Sequence, residues 1–278
     1  MSLGPLRTDD LALVRSSVPR RRRTIRELPL GARIALGAAL PLALLGLWQL
    51  IIVLDVVPSY RLPSPSAVFL AGVDLQNRGL LGLHIAISTQ RVLIGFLAGS
   101  LVGLIVASFV GLSRVGRYLV SPILGGIRAI PSLAWVPLLG LYLGINEDSK
   151  VTLIAIGAFF PVYTVVSHAL RNTDPQLLEA GRAFGYRGVR LLGLVQLPSA
   201  IPSVVSGLRL ALAQSWLFLV AGELLGASMG LGFLLTDSNN NGRIDRLFLT
   251  ILLLGLLGII TDAIVGLLER FLLKRWGA

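Results

Sequence analysis

The stretch Arg91–Leu112, RVLIGFLAGSLVGLIVASFVGL, carries a single charge, at its first residue, and only apolar or small side chains after it. A bilayer crossing takes roughly 20 mainly apolar residues, so a stretch of this length and apolarity reads as a helix in lipid. Gly95, Gly99 and Gly103 are spaced four apart and line one face of that helix. Such a stripe lets a neighbouring backbone approach closely and is read as packing.

Working outward, five further runs share this character: Ile34–Val57, Tyr118–Gly144, Val151–Leu170, Ser199–Ala227 and Leu247–Leu273. Across the 278 residues 54% are hydrophobic and 14% charged, against roughly 45–50% and about 25% in soluble domains. The mean hydropathy is +0.80. The expectation is an all-α integral membrane protein of about six transmembrane helices, with little length left for a soluble domain. Pro41, Pro131, Pro137, Pro161 and Pro202 fall inside these runs. Bundled helices tolerate proline when neighbours satisfy the freed carbonyls, and the Pro122–Pro137 stretch is the expected site of a broken helix.

The net charge of +11 could suggest nucleic acid, but its placement points to topology. Cytoplasmic loops carry an excess of Arg and Lys. With the N-terminus inside, seventeen basic residues are cytoplasmic and six external, the six being Arg61, Arg78, Arg91, Lys150, Arg243 and Arg246. Both termini are then expected in the cytoplasm, and no nucleic-acid partner is needed. Residues 1–33 read as a mostly disordered basic tail anchoring the first span, with Arg20–Arg23 as its densest part. A twin-arginine export signal fits less well, because the apolar run that follows is too long for a signal segment. Residues 34–278 read as one membrane domain.

Several catalytic and metal readings fail on their residues. The absence of cysteine removes thiol nucleophiles, disulfides and thiolate metal sites together. A phosphate-binding loop needs Gly-Lys followed by Ser or Thr, whereas Lys150 follows Ser149 and Lys274 follows Leu273. Gly226-Ala227-Ser228-Met229-Gly230 has the form of a nucleophile elbow, and a membrane hydrolase using Ser228 is the reading from another class. Its base is missing, since His84 and His168 both precede the serine. Asp237–Asp245 matches part of a calcium loop, but Phe248 stands where the bidentate acid belongs, so a polar external turn is preferred.

Inside the spans a charge costs several kcal/mol and should face a cavity or a partner. Arg128 and Arg209 are such charges, with Glu223 and Asp262 as their natural counter-charges. Either Arg guides an anion, with Pro131 and Glu223 as further pathway candidates, or the Arg–acid pairs hold helices in register, the reading that the residues favour.

The segment Arg171–Pro198 has its own start and stop signals. Asp174 can cap a helix that opens at Pro175, and Gly185 can end it in the left-handed conformation. Leu177, Leu178 and Phe184 give this helix an apolar patch, costly in the cytoplasm unless it docks. A second short helix is expected from Gly188 to Leu194. Glu179-Ala180-Gly181-Arg182-Ala183-Phe184-Gly185, followed by Val195-Gln196-Leu197-Pro198, resembles the EAA loop of binding-protein-dependent ABC importer permeases. Gly181 stands where that pattern has Ala. The resemblance extends through Leu62-Pro63-Ser64-Pro65, His84 with Ser88 and Arg91, Arg128-Ala129-Ile130-Pro131, and Ala221-Gly222-Glu223 through Gly232, nearest to the aliphatic sulfonate, taurine and nitrate permeases. It implies a type I importer membrane domain whose coupling helices dock on a separate ABC ATPase through Glu179, Ala180, Gly181, Phe184, Gly185 and Pro198. It also implies ATP and Mg on that partner, a periplasmic or lipoprotein solute-binding protein, and a second permease copy, in a bacterial inner membrane. The implied cargo is a small anion, aliphatic sulfonates first, with nitrate, taurine or a thiamine precursor as alternatives. No catalytic residue and no metal ligand are expected in this chain.

Overall fold

The computed structural model describes residues 30–224 and 226–276, and among them every regular element is helical. The chain divides after Ile51 into two units. The first carries all but the last two residues of helix α1 (Leu30–Val53), apolar around its whole circumference, as suits a helix facing lipid, with Pro41 inside it. Of the predicted tail, residues 1–29 lie outside the described residues, and residues 30–33 form the first turn of α1.

The second unit begins with α2 (Pro65–Asn77), where no element is expected from hydropathy. Its start is nevertheless written in the chain, because the Ser64 hydroxyl accepts from Ala67 N at 3.2 Å and Pro65 occupies the first turn. Then follow α3 (Leu80–Leu112), α4 (Arg114–Arg128), a 3-10 turn (Ser132–Ala134), α5 (Trp135–Leu143) and α6 (Glu147–Arg171). The chain continues with α7 (Pro175–Ala183), α8 (Gly188–Leu191), a π turn (Leu192–Gln196), α9 (Leu197–Leu224), α10 (Leu231–Asn240) and α11 (Ile244–Trp276).

Among the described residues five helices are long and apolar enough to cross a membrane, beginning at Ala35, Leu80, Glu147, Gly188 and Ile244. The remaining predicted span, Tyr118–Gly144, is divided into α4 and α5, each too short to count alone. The break covers Ala129–Pro131, where Pro131 lacks the N–H that a continuing helix needs and disfavours helical geometry in the residue before it. Two boundaries also move. α3 starts at Leu80, well before Arg91, and the fifth span is a helical run from Gly188 to Leu224 that passes through Pro198. The π turn makes that possible: Leu197 N–H reaches back five residues to Leu192 O, beside the position where Pro198 has no N–H to give.

α6 lies between α3 and α9, and small residues set the approach on both sides. A Cβ on Gly99 would stand 2.1 Å from Ala155 O, one on Gly95 2.6 Å from Ile154, and one on Gly103 3.0 Å from Phe159 O. Opposite, a Cβ on Gly157 would stand 2.7 Å from the Phe218 ring. The stripe read from Arg91–Leu112 is therefore the seam on which α3 meets α6. Ala107, Val110, Ala158, Val162, Val166 and Ala211 fill the core between these helices, and Trp216 on α9 donates to Thr261 Oγ1 on α11 at 3.0 Å.

Candidate functional site

Where α4 breaks, a pocket of about 570 Å³ opens against α6 and α9. Its wall combines Trp135, Phe160 and Phe218 with three polar groups, Arg128, Thr164 and Gln214. Arg128 stands at the last position of α4, exposed, and Nη1 donates to Thr164 Oγ1 at 3.3 Å. Among the described residues it makes no ion pair. A guanidinium facing a half-apolar cavity without a carboxylate keeps most of its donors for an anion. Pro131 lines the same pocket.

A second polar centre lies where the N-terminal part of α6 meets α3 and the end of α9. Arg91, 4% exposed, donates Nε and Nη2 to the two Glu147 carboxylate oxygens at 2.6 Å each, and Nη1 to Glu223 Oε1 and to Met229 O at 2.6 Å each. Glu223, 1% exposed, also accepts from Ser88 Oγ at 2.9 Å and from Gly232 N at 2.7 Å. Leu231 N donates to Ser88 Oγ at 2.7 Å, Gly230 N to His84 Nδ1 at 3.0 Å, and Lys150 Nζ to Glu147 at 3.1 Å. The buried charges are all paired, Arg91 and Glu223 across helices and Lys150 with Glu147 on its own helix, as buried charges require. The loop Gly226–Gly230 is thereby fastened to α3. Gly230 fits only as glycine: its φ is +119°, and a Cβ there would stand 2.3 Å from Glu223 Oε1.

The third region is α7. Asp174 accepts from Gln176 N at 2.8 Å, and the helix closes with Tyr186 N on Gly181 O at 3.0 Å and Gly185 N on Arg182 O at 2.9 Å, with Gly185 at φ +83°. That is a Schellman closure, which satisfies the last carbonyls and turns the chain sharply. Gly181 is buried, and a Cβ there would stand 2.7 Å from Leu191, so the smallest residue sets the packing of α7 on α8. Phe184, 80% exposed, and Val189, 79% exposed, project outward with Leu177.

Residues 99–274 match the family described as binding-protein-dependent transport system inner membrane component. The chain belongs to that family. This permease is 37% identical to the putative aliphatic sulfonates transport permease protein SsuC of Bacillus subtilis (strain 168) over 86% of each chain. It is 39% identical to the SsuC of Escherichia coli (strain K12) over 85% of this chain and 90% of the other. The taurine transport system permease protein TauC of E. coli (strain K12) is 29% identical over 87% and 90% of the two chains. Among solved structures, an inward-facing MetNI methionine ABC transporter aligns with a TM-score of 0.59 at 23% identity, covering 66% of this chain and 92% of that one, a likeness of fold.

The permease keeps the two predicted intramembrane arginines apart. Arg128 and Pro131 border the pocket, whereas Arg209 donates Nε and Nη2 to Asp262 at 2.9 and 2.6 Å and Nη1 to Glu269 at 3.2 Å, joining α9 to α11. Glu223 is not the counter-charge of Arg128; Arg91 takes it. Arg91 and Lys150, counted among external loop charges on hydropathy alone, are buried within helices. The cluster around Arg91 is what sequence reasoning missed. Its signal lay in His84, Ser88 and Arg91, at intervals of four and three, which line one face of α3. The calcium-loop reading also changes. Asp237–Asn240 form the last turn of α10, and Asp245 is paired with Arg243 at 2.9 Å. Ser228 lies in the loop after α9, while His84 Nδ1 accepts from the Gly230 amide.

Proposed function

We propose that this permease forms the translocation path for small sulfonate-class anions and is driven by ATP hydrolysed on a separate subunit. The observation that carries the substrate class is Arg128, exposed on the 570 Å³ pocket without a carboxylate partner among the described residues. An anion entering there meets a charge-assisted donor at the break of a helix, flanked by aromatic walls suited to a short aliphatic chain. The relatives named for aliphatic sulfonates and taurine support the same reading. Nitrate and a thiamine precursor are the alternatives.

In this reading the membrane domain spans residues 34–278, both termini are cytoplasmic, and α7 with α8 forms the coupling segment. Glu179, Ala180 and Phe184 contact an ABC ATPase that holds ATP and Mg; Gly181, Gly185 and Pro198 shape the segment. A solute-binding protein delivers cargo from outside, and a second copy of the permease completes the path in the lipid bilayer of the inner membrane. Arg209, with its carboxylates satisfied, holds α9 and α11 in register. Support for docking comes from the apolar side chains that α7 and α8 leave exposed.

Uptake of radiolabelled ethanesulfonate into cells carrying the transporter, with Arg128→Gln, decides the path. At least a tenfold fall in uptake with unchanged membrane abundance is expected. Undiminished uptake refutes the role of Arg128, and ethanesulfonate-independent transport of nitrate redirects the substrate class.

A further inference from the structure

A second pocket, of about 590 Å³, lies between α7, the start of α8 and the ends of α3 and α6. Arg117 of α4, Arg171 at the end of α6, Arg182 of α7 and Arg187 just before α8 all line it, and no acidic residue does. Among the described residues none of the four forms an ion pair, and Arg171 donates Nη2 to Ser121 Oγ at 2.7 Å. Gln196, 7% exposed, stands in the same wall with its Oε1 unpaired. A half-turn of that amide would present its NH2 group instead.

Guanidiniums gathered around one cavity without carboxylates repel one another and raise the local positive potential. Arg91 and Arg209 are met by acids, whereas these four exposed arginines, like Arg128, have no carboxylate partner among the described residues. The pocket is also distinct from the exposed apolar face: Leu177, Phe184 and Val189 do not line it. Arg117 and Arg171 stand at the ends of helices in the bundle, whereas Arg182 belongs to α7.

We propose that this pocket binds a tetrahedral oxyanion, a phosphate, sulfate or sulfonate group, held jointly by Arg117, Arg171, Arg182 and Arg187. Planar guanidinium forks match such oxygens in pairs. A bound anion cross-links the α7 segment to the bundle, so its occupancy sets how firmly that segment is held. The group has two sources, an anionic lipid headgroup or a free oxyanion in solution. The inference does not depend on which cargo the permease carries.

The test uses the full-length protein in nanodiscs. Equilibrium dialysis in phosphatidylcholine discs measures radiolabelled sulfate, and native mass spectrometry after release from discs containing phosphatidylglycerol measures retained lipid. Wild-type protein is expected to hold one probe or both, and the paired change Arg182→Gln with Arg187→Gln to weaken retention at least tenfold. Sulfate binding identifies a free oxyanion as ligand; lipid retention without sulfate identifies the headgroup. Arg117→Gln, on the wall outside the α7 segment, is expected to act alike and serves should the paired variant not fold. Retention of neither probe by wild type, or equal retention by folded variants, overturns the proposal.

Discussion

Arg91 and Arg128 sit in helices of the same bundle and have opposite surroundings. Arg91 is enclosed and gives its guanidinium to Glu147, Glu223 and the Met229 carbonyl. Arg128 is exposed on a pocket and has one hydroxyl, 3.3 Å away. A cation whose donors are all answered by protein holds helices together, while one left with open donors is available to something that passes. In the proposed reading, burial and partners rather than residue type separate a structural arginine from one that serves transport.

The sharpest way to break the contrast is to neutralise the enclosed member. Arg91→Gln leaves the fully buried Glu223 without a cation and Glu147 with Lys150 alone. Loss of one partner from a buried pair costs about 3–5 kcal/mol. Thermal unfolding followed by circular dichroism should show a large fall in Tm, and partial recovery when Glu223→Gln is added. An unchanged Tm would mean that the cluster is not what fastens α3, α6 and the loop after α9.

The helix seam next to this cluster comes second. Gly99→Leu puts a side chain where even a Cβ would stand 2.1 Å from Ala155 O, so the backbones must separate. Overpacking of this kind costs about 1–3 kcal/mol or more. Lower Tm and poor recovery from detergent are expected, with Gly82→Leu, where a Cβ meets nothing within 4 Å, as the tolerated control on the same helix.

Arg128→Gln sharpens the comparison from the other side. Its stability should stay within about 0.5 kcal/mol of wild type, although uptake collapses. A large loss of Tm would assign Arg128 to the same structural class as Arg91.

The smallest effect is electrostatic and superficial. Asp74 on α2 is held below its ordinary range first by the hydrogen bond from Arg78 and then by Arg246, against desolvation. A carboxylate with a depressed pKa in the folded state adds stability above its unfolded pKa, lost as pH falls through the folded one. Below about pH 4 wild type should therefore lose a slight margin over Asp74→Asn in melting experiments. Because the pair is exposed, the difference should shrink further in high salt.

Much of α3, α6 and α11 was legible because length and apolarity in lipid leave a chain few alternatives to the helix. The α7 motif was legible for a different reason: Asp174, Pro175 and Gly185 act on their own backbone, so their meaning is local. α2 and α10 were not expected, since each combines polar and apolar residues at less than membrane length. Hydropathy sees spans and passes over such helices. Arg91 was misplaced by the same instrument, because a charge at the edge of an apolar run looks like a loop residue until its partners, 56 and 132 positions away, are known.

The sequence Arg91–Leu112 by itself determined that this chain belongs in lipid and that its glycine face must meet another backbone; the Asp174–Gly185 segment determined a capped helix outside the spans. These conclusions follow from solvent transfer and from bonds between near neighbours, which travel with the chain. Tertiary structure alone decided that α6 is the backbone meeting the glycine face, that Arg91 takes Glu223, and that Arg128 is left facing a cavity. Ion pairing and cavity lining are properties of distant residues brought together, and no periodicity along the chain encodes them.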